Sequence, residues 1–218
     1  MYHYISIPPR DADKYRLDLS VDPDNLDRQL KWLRDNGFTT ISLYELYNSL
    51  ATGAALPPKP VILTFDDGYI DAYLHAYPLL QKYGMTGTFF IVSDFINNGN
   101  LAYLSWPMVQ EMARHGMSIE PHSRTHPDLR NRSFDFLVWQ ILGPIEAITA
   151  YTGQRPHFFC YPSGMYDDAV IRVLRSVDIW GAVTTHYGSS HSLQDSMTWT
   201  RIRIRGSTSL AEFSALLR

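Results

Sequence analysis

The chain lacks most of what would take it out of the ordinary globular class. It has one cysteine, Cys160, among 218 residues, so no internal disulfide can form and the redox compartment stays open. No apolar run approaches the roughly 20 residues of a membrane-spanning helix. There is no basic block and the formal net charge is −3, so nothing recommends a nucleic-acid partner. No leader-type segment opens the chain, because Tyr2-His3-Tyr4-Ile5-Ser6-Ile7 already reads as a strand; either export is absent or a leader lies outside this chain. Internal repeats are missing, as is any linker long enough to divide two domains. What is present is 45% hydrophobic content, enough for a full core, and one domain is expected over residues 1–218.

Strand-like and helix-like segments alternate from end to end. Asp22 precedes Pro23, Leu26, Leu30 and Leu33, with Gly37 behind them: an N-cap, a first-turn proline, one apolar stripe and a glycine stop predict a helix. Thr39–Leu43 reads as a strand, then a short helix runs to Ala51 and a loop from Gly53 to Pro60. Val61-Ile62-Leu63-Thr64-Phe65 is apolar on both faces, as a buried parallel strand is. A helix to Tyr83, broken at Pro78, leads to a strand at Thr86–Val92. Ser105 caps a helix ending before Gly116, and Met117–Glu120 is a strand. Ser133–Tyr151 is helical, with an interruption expected at Gly143-Pro144. His157–Tyr161 and Ile179–Thr184 read as strands around a helix at Asp167–Ser176. Thr200–Arg205 is the last strand and Leu210–Leu217 the last helix. Seven or eight such units predict an α/β fold of parallel strands covered by helices, and favour a TIM-like barrel over an open sheet.

Two motifs carry chemistry: Thr64-Phe65-Asp66-Asp67-Gly68-Tyr69 and His122-Ser123-Arg124-Thr125-His126. Both follow predicted strands, as does Tyr161-Pro162, so all three lie on the face where barrel enzymes build their sites. His122 and His126 are four apart, which on a helical turn puts both imidazoles on one face. Two histidines and one aspartate can bind zinc and leave a fourth position for water, and the second aspartate can then take a proton. Each motif alone has a structural reading. Asp-Asp-Gly suits a turn or helix cap, and HxxxH suits a surface helix. Together they favour a hydrolase site, because two carboxylates closing an apolar strand are unfavourable without a cation. Aspartyl-phosphate chemistry wants Asp-x-Asp, and position 68 is glycine.

With the run Phe159-Cys160-Tyr161-Pro162-Ser163-Gly164-Met165-Tyr166, these motifs in this order and spacing resemble the polysaccharide deacetylases, carbohydrate esterase family 4 or NodB-homology domain. The resemblance reaches from Tyr2-His3-Tyr4 to Arg201-Ile202. It implies a distorted (β/α) barrel that removes acetyl groups from N-acetylglucosamine polymers or xylan with a divalent metal. Zinc is the first expectation, with cobalt, nickel or manganese as alternatives. It implies Asp66 as catalytic base, Asp67, His122 and His126 as metal ligands, and Ser163 at the backbone N–H donor to the oxyanion. It also implies a polysaccharide or oligosaccharide partner and work outside the cell or in its envelope, although without a leader in the chain the cytoplasm stays open.

Two departures select a branch. Many members of the family carry, at Cys160, an arginine that steadies the base, and many supply a histidine acid where this chain has Thr200-Arg201-Ile202-Arg203-Ile204-Arg205. A YPxG turn with an Arg-Ile strand resembles the poly-β-1,6-N-acetylglucosamine deacetylases. The three alternating arginines share a strand face, read as mainly solvated; the other reading sets Arg201 beside Asp66, replacing the missing arginine. Asp66 itself is the economical proton donor to the leaving amine. His3 is expected to be structural, His75, His115, His157, His186 and His191 to be surface or loop residues, and Cys160 to be a packed small side chain. Tyr69, Tyr103, Trp106 and Tyr166 are candidates for stacking on sugar rings, and equally for core or rim. The competing functions are a carbohydrate-binding relic without turnover, or a deacetylase of small N-acyl or O-acetyl compounds. Oligomeric state is left open.

Overall fold

A computed structural model describes residues 1–217. Helices α1 (Lys14–Leu19) and α2 (Pro23–Asp35) precede strand β1 (Thr39–Thr40), α3 (Leu43–Thr52), β2 (Pro60–Val61) and β3 (Thr64–Phe65). Then come α4 (Tyr77–Lys82), β4 (Thr88–Ile91), α5 (Ser93–Asn97), α6 (Trp106–Arg114), β5 (Ser118–Pro121) and α7 (Phe134–Thr152). The chain continues through β6 (Phe158–Cys160), α8 (Asp168–Ser176), β7 (Gly181–Val183) and α9 (Leu210–Ala215). It is an α/β fold, and every ladder among the described residues is parallel: β1 with β2, β3 with β4 and β4 with β5, and β6 with β7. No helix among the described residues is long and apolar enough to cross a membrane.

The expected strands are shorter than their apolar runs. Residues 2–7 reach their neighbours only at single bridges, Tyr2 to Phe65 and Tyr4 to Ser20. Residues 61–65 divide into β2 and β3, which pair with different partners. Residues 200–205 are extended without a ladder; Trp199 bridges Val183, and the Ile204 N–H donates to the Met1 carbonyl at 3.0 Å.

No backbone ladder joins β5 to β6 among the described residues. Side chains make the join: the Phe158 N–H donates to Glu120 Oε2 at 3.0 Å, and His122 Nδ1 meets the Cys160 carbonyl at 2.7 Å. Glu120 is buried, and burial pushes its carboxyl up to about 8 against the donors around it. A neutral carboxyl that still accepts a backbone N–H satisfies the rule that buried polar groups are paired.

Prolines behave differently from the expectation. Helix α7 runs unbroken through Pro144. Before Pro78 the helix widens into a π turn at Ala72–Ala76, with the Tyr77 N–H on the Ala72 carbonyl, and Pro78 sits in the first turn of α4, where its missing donor matters least. Helix α1, absent from the sequence reading, is a short surface turn capped by Asp13 with no buried side chain, so it leaves no apolar stripe to detect.

The central core lies behind the site. Phe65 and Phe89 stack at 4.8 Å between ring centres, Tyr2 stacks on Phe65 at 5.3 Å, and all three are buried. These rings fix the ends of β3 and β4. Asp66, His122 and Tyr161 each follow directly on a strand, after Phe65, Pro121 and Cys160, so the motifs leave the parallel strands at their carboxyl ends.

Candidate metal and base site

At the end of β3 the backbone turns on two left-handed residues, Asp67 at φ 74° and Gly68 at φ 72°. Aspartate tolerates this region better than most residues, and glycine without strain. Position 68 must also be bare, since a Cβ there would lie 3.3 Å from the Ile91 side chain. The turn cancels strand alternation, so Asp66 and Asp67 reach one neighbourhood.

Asp67 Oδ1 lies 3.2 Å from His122 Nε2 and 3.4 Å from His126 Nε2. Two ligand atoms each about 2.1 Å from a tetrahedral zinc ion stand about 3.4 Å apart, so the spacing fits a shared ion. His122 is oriented by its other nitrogen: Nδ1–H to the Cys160 carbonyl turns Nε2 toward Asp67, the usual support of a metal-ligating imidazole. Burial pushes His126 below the ordinary histidine value, which favours the neutral form a metal takes, whereas the Cys160 and Asp67 groups beside buried His122 override its burial and raise it. His122 is buried while His126 keeps 30% of its side chain exposed, so the site opens to solvent on the His126 side. The pair does not stand on a helix. Ser123 and His126 both have positive φ, 63° and 59°, and the His126 N–H returns to Ser123 Oγ at 3.0 Å. A reversing turn, not helical periodicity, brings the rings together.

Asp66, His122 and Cys160 form a second group of donors sharing His122. Arg201 already occupies it. Its Nη1 and Nη2 each lie 2.7 Å from one Asp66 oxygen, and Nη2 is 3.2 Å from Cys160 Sγ. Nη1 also reaches Thr64 Oγ1 at 3.1 Å and Nε the Thr184 carbonyl at 2.9 Å. All five guanidinium donors are thus satisfied, which is what makes burying this charge tolerable. The expectation of a mainly solvated arginine face is therefore wrong for Arg201, which is buried, whereas Arg203 is half-buried and Arg205 is exposed and paired with Asp18. Burial alone would push the Asp66 carboxyl up; the Arg201 guanidinium overrides it and holds Asp66 well below the usual carboxylate range.

His3 is buried with Nε2 3.8 Å from Asp66 Oδ2. Cys160 is a fully buried residue of β6, its thiol pushed up by burial, which fits a packed side chain. Ser163 is the exposed residue of the Pro162–Gly164 turn just after β6, between buried Pro162 and Gly164, at φ 55°. Of the aromatic candidates, Trp106 is buried, stacked on Tyr151 at 4.2 Å and bonded to Asn97, and so cannot meet a sugar. Tyr166 stacks on Tyr161 at 4.7 Å. Tyr69 lies between Tyr103, at 5.2 Å, and Tyr4, at 3.6 Å. The sequence reading missed Tyr4 in this stack and Thr64 behind Arg201; Thr64 puts a hydroxyl inside an otherwise apolar run, and that was the available signal. His75, His157 and His191 are half-buried, His115 and His186 exposed, away from the metal-ligand group.

Comparison with known proteins agrees with this geometry. The polysaccharide deacetylase family profile matches residues 53–181, more than half of the chain. YxkH of Bacillus subtilis (strain 168), whose name puts it among the polysaccharide deacetylases, is 30% identical over 199 residues, covering 91% of this chain and 71% of that protein. The poly-beta-1,6-N-acetyl-D-glucosamine N-deacetylase of Staphylococcus aureus (strain MSSA476) is 33% identical over 118 residues, 52% of this chain but only 39% of that protein. Among solved structures, the Streptococcus pyogenes deacetylase PplD in complex with acetate superposes with a TM-score of 0.92 at 29% identity, covering 100% of this chain and 96% of that one. The chain belongs to the polysaccharide deacetylases, a family of hydrolases.

Proposed function

We propose that the chain removes N-acetyl groups from a β-linked N-acetylglucosamine polysaccharide, using a divalent metal and an aspartate base on a distorted (β/α) barrel. The observation that carries this reading is the convergence of Asp67, His122 and His126 beside an arginine-held Asp66. Asp67, His122 and His126 would hold the ion, zinc first among the candidates. Bound there, it supplies Lewis-acid polarisation of the amide carbonyl and a more acidic water.

Asp66 is the general base. Arg201 takes one acceptor site on each carboxylate oxygen and the Cys160 thiol a weaker one on Oδ2 at 3.6 Å, so of the roughly four lone-pair sites on a carboxylate at least one remains. As the water oxygen bonds to the acetamide carbon, its proton passes to Asp66 and negative charge gathers on the former carbonyl oxygen. The Ser163 backbone N–H is assigned to that oxygen, a donor typically worth about 3 kcal/mol of transition-state stabilisation. The C–N bond breaks, Asp66 returns its proton to the leaving amine, and the free amine and acetic acid depart, the acid losing its remaining proton to solvent as acetate. Arg201 acts through Asp66 as a positioning residue: it keeps the base ionised at neutral pH while lowering its basicity.

The substrate assigned is poly-β-1,6-N-acetylglucosamine. Support comes from the Cys160 and Arg201 exchange, the YPSG turn and the Staphylococcus aureus relative. An enzyme for that polymer works outside the cell or at its envelope. The test is acetate release from 1,6-linked and from chitin oligomers of equal length. Faster release from the 1,6-linked series is expected; preference for chitin oligomers or acetylated xylan overturns the substrate while leaving the metal chemistry standing.

A further inference from the structure

The loop between the two histidines has a buried support that the mechanism does not use. Gln140, on α7, has only 1% of its surface exposed. Its Oε1 accepts the Arg124 N–H at 3.1 Å and the Thr125 N–H at 3.0 Å, and its Nε2 donates to Thr125 Oγ1 at 2.7 Å. The two backbone donors it receives are consecutive and lie midway between His122 and His126. They have left β5, whose ladder ends at Pro121, so no strand neighbour serves them. One amide from a helix takes the place of a strand edge.

The loop needs such a hold. It bends through left-handed, non-glycine Ser123 and His126, conformations that persist only where the surroundings over-determine them. Ser123 Oγ secures one end, on the His126 N–H. The Arg124 carbonyl accepts the Asp94 N–H at 3.0 Å and the Arg124 side chain reaches Asp94 Oδ1 at 3.0 Å. Position 143, one turn along α7 from Gln140, is glycine, where a Cβ would come within 3.3 Å of Arg124 Nη1. Every restraint on the two central N–H groups, however, comes from Gln140.

We infer that Gln140 is a positioning residue for the metal site: its side-chain amide clamps the Arg124–Thr125 backbone and so sets the distance of His126 from His122 and Asp67. The inference rests on the metal reading of those three residues. A merely structural glutamine would stabilise α7 against the loop without selecting the ligand geometry.

The experiment measures zinc affinity by chelator competition, beside the unfolding midpoint of the metal-free protein, for the wild-type chain, Gln140→Leu and Gln140→Glu. Leucine removes all three bonds. Glutamate keeps an acceptor for both N–H groups, and the Thr125 hydroxyl can turn to donate to it. Zinc affinity should fall about 10–100-fold in Gln140→Leu, the usual effect of losing a residue that orients a ligand, and Gln140→Glu should restore it to within a few-fold of wild type. Unchanged affinity in Gln140→Leu, or a Gln140→Glu variant as weak as the leucine one, overturns the inference alone. No zinc binding by the wild-type chain overturns the metal reading and this inference with it. If Gln140→Leu does not fold, Gln140→Ala, which leaves room for water, carries the same test. Loss of fold in both variants marks Gln140 as a general stability residue and overturns its positioning role.

Discussion

Arg201 and Asp66 are 135 residues apart in the chain, yet the two terminal guanidinium nitrogens each lie 2.7 Å from one oxygen of the carboxylate. This fork stands where Cys160 leaves no arginine on β6; it comes from the segment beyond β7, and its Nη2 lies 3.2 Å from the Cys160 sulfur. The carboxylate proposed as the base is therefore held by a residue far from it in the chain.

Arg201→Lys should lower kcat/KM and move the acid limb of the pH–rate profile upward. The sign follows from Asp66, which Arg201 holds well below the usual carboxylate range against the effect of burial. A lysine cannot make the bidentate fork, so the carboxyl rises and the base is protonated at higher pH than in the wild type. A pH profile of kcat/KM for both proteins measures it; an unmoved acid limb contradicts it. Arg201→Ala should instead cost about 3–5 kcal/mol of stability, as removing one partner of a buried pair does.

Asp66→Asn should keep the metal while lowering the rate about 10²–10⁴-fold, the usual range for a lost general base, and should lower stability because it leaves the buried Arg201 charge without its counter-ion. Asp67→Asn should weaken metal binding. Rate and metal content measured on both variants decide the assignment, and swapped phenotypes reverse base and ligand.

Glu120 should make the protein less stable as pH rises. Its carboxyl, ordinarily near 4.5, is pushed up to about 8 in the fold, so between those values the folded state holds a proton that the unfolded state has released. Stability then falls with pH through that window, by up to about 1.4 kcal/mol per pH unit, and is flat in this respect on either side. Glu120→Gln keeps an acceptor for the Phe158 N–H and removes the titration. Unfolding free energies from pH 5 to 8 should fall less steeply in the variant; parallel curves contradict this.

Much of the site was legible because its residues sit in two short motifs at strand ends. Asp66-Asp67 and His122…His126 are local, and the apolar runs before them mark buried strands. What was not legible depended on distance or on dihedral angles. Arg201 could be read as solvated, because its partner is remote in sequence and strand alternation alone sets Arg201, Arg203 and Arg205 on one face. The HxxxH spacing resembles a helix, while the structure uses left-handed Ser123 and His126 to bring the rings together. Gln140 looks like any polar residue on an apolar helix until the loop that it holds is known. The strand runs at 2–7 and 200–205 have the right alternation but meet their neighbours through isolated bridges and backbone hydrogen bonds without a ladder, since hydrophobic pattern records burial and not pairing. The break expected at Pro144 fails because α7 is packed along its whole length, with Leu137, Ile141, Ile145 and Ile148 buried on both sides of the proline.

The most direct measurement is acetate released from 1,6-linked N-acetylglucosamine oligomers by the purified chain, before chelation, after chelation and after zinc is added back. Acetate should appear with an equal amount of free amine, stop when the metal is removed, and return with zinc in the wild-type chain but not in the His122→Ala, His126→Ala double variant. Acetate release that continues without metal, or in the double variant, would contradict the metal-dependent reading of Asp67, His122 and His126.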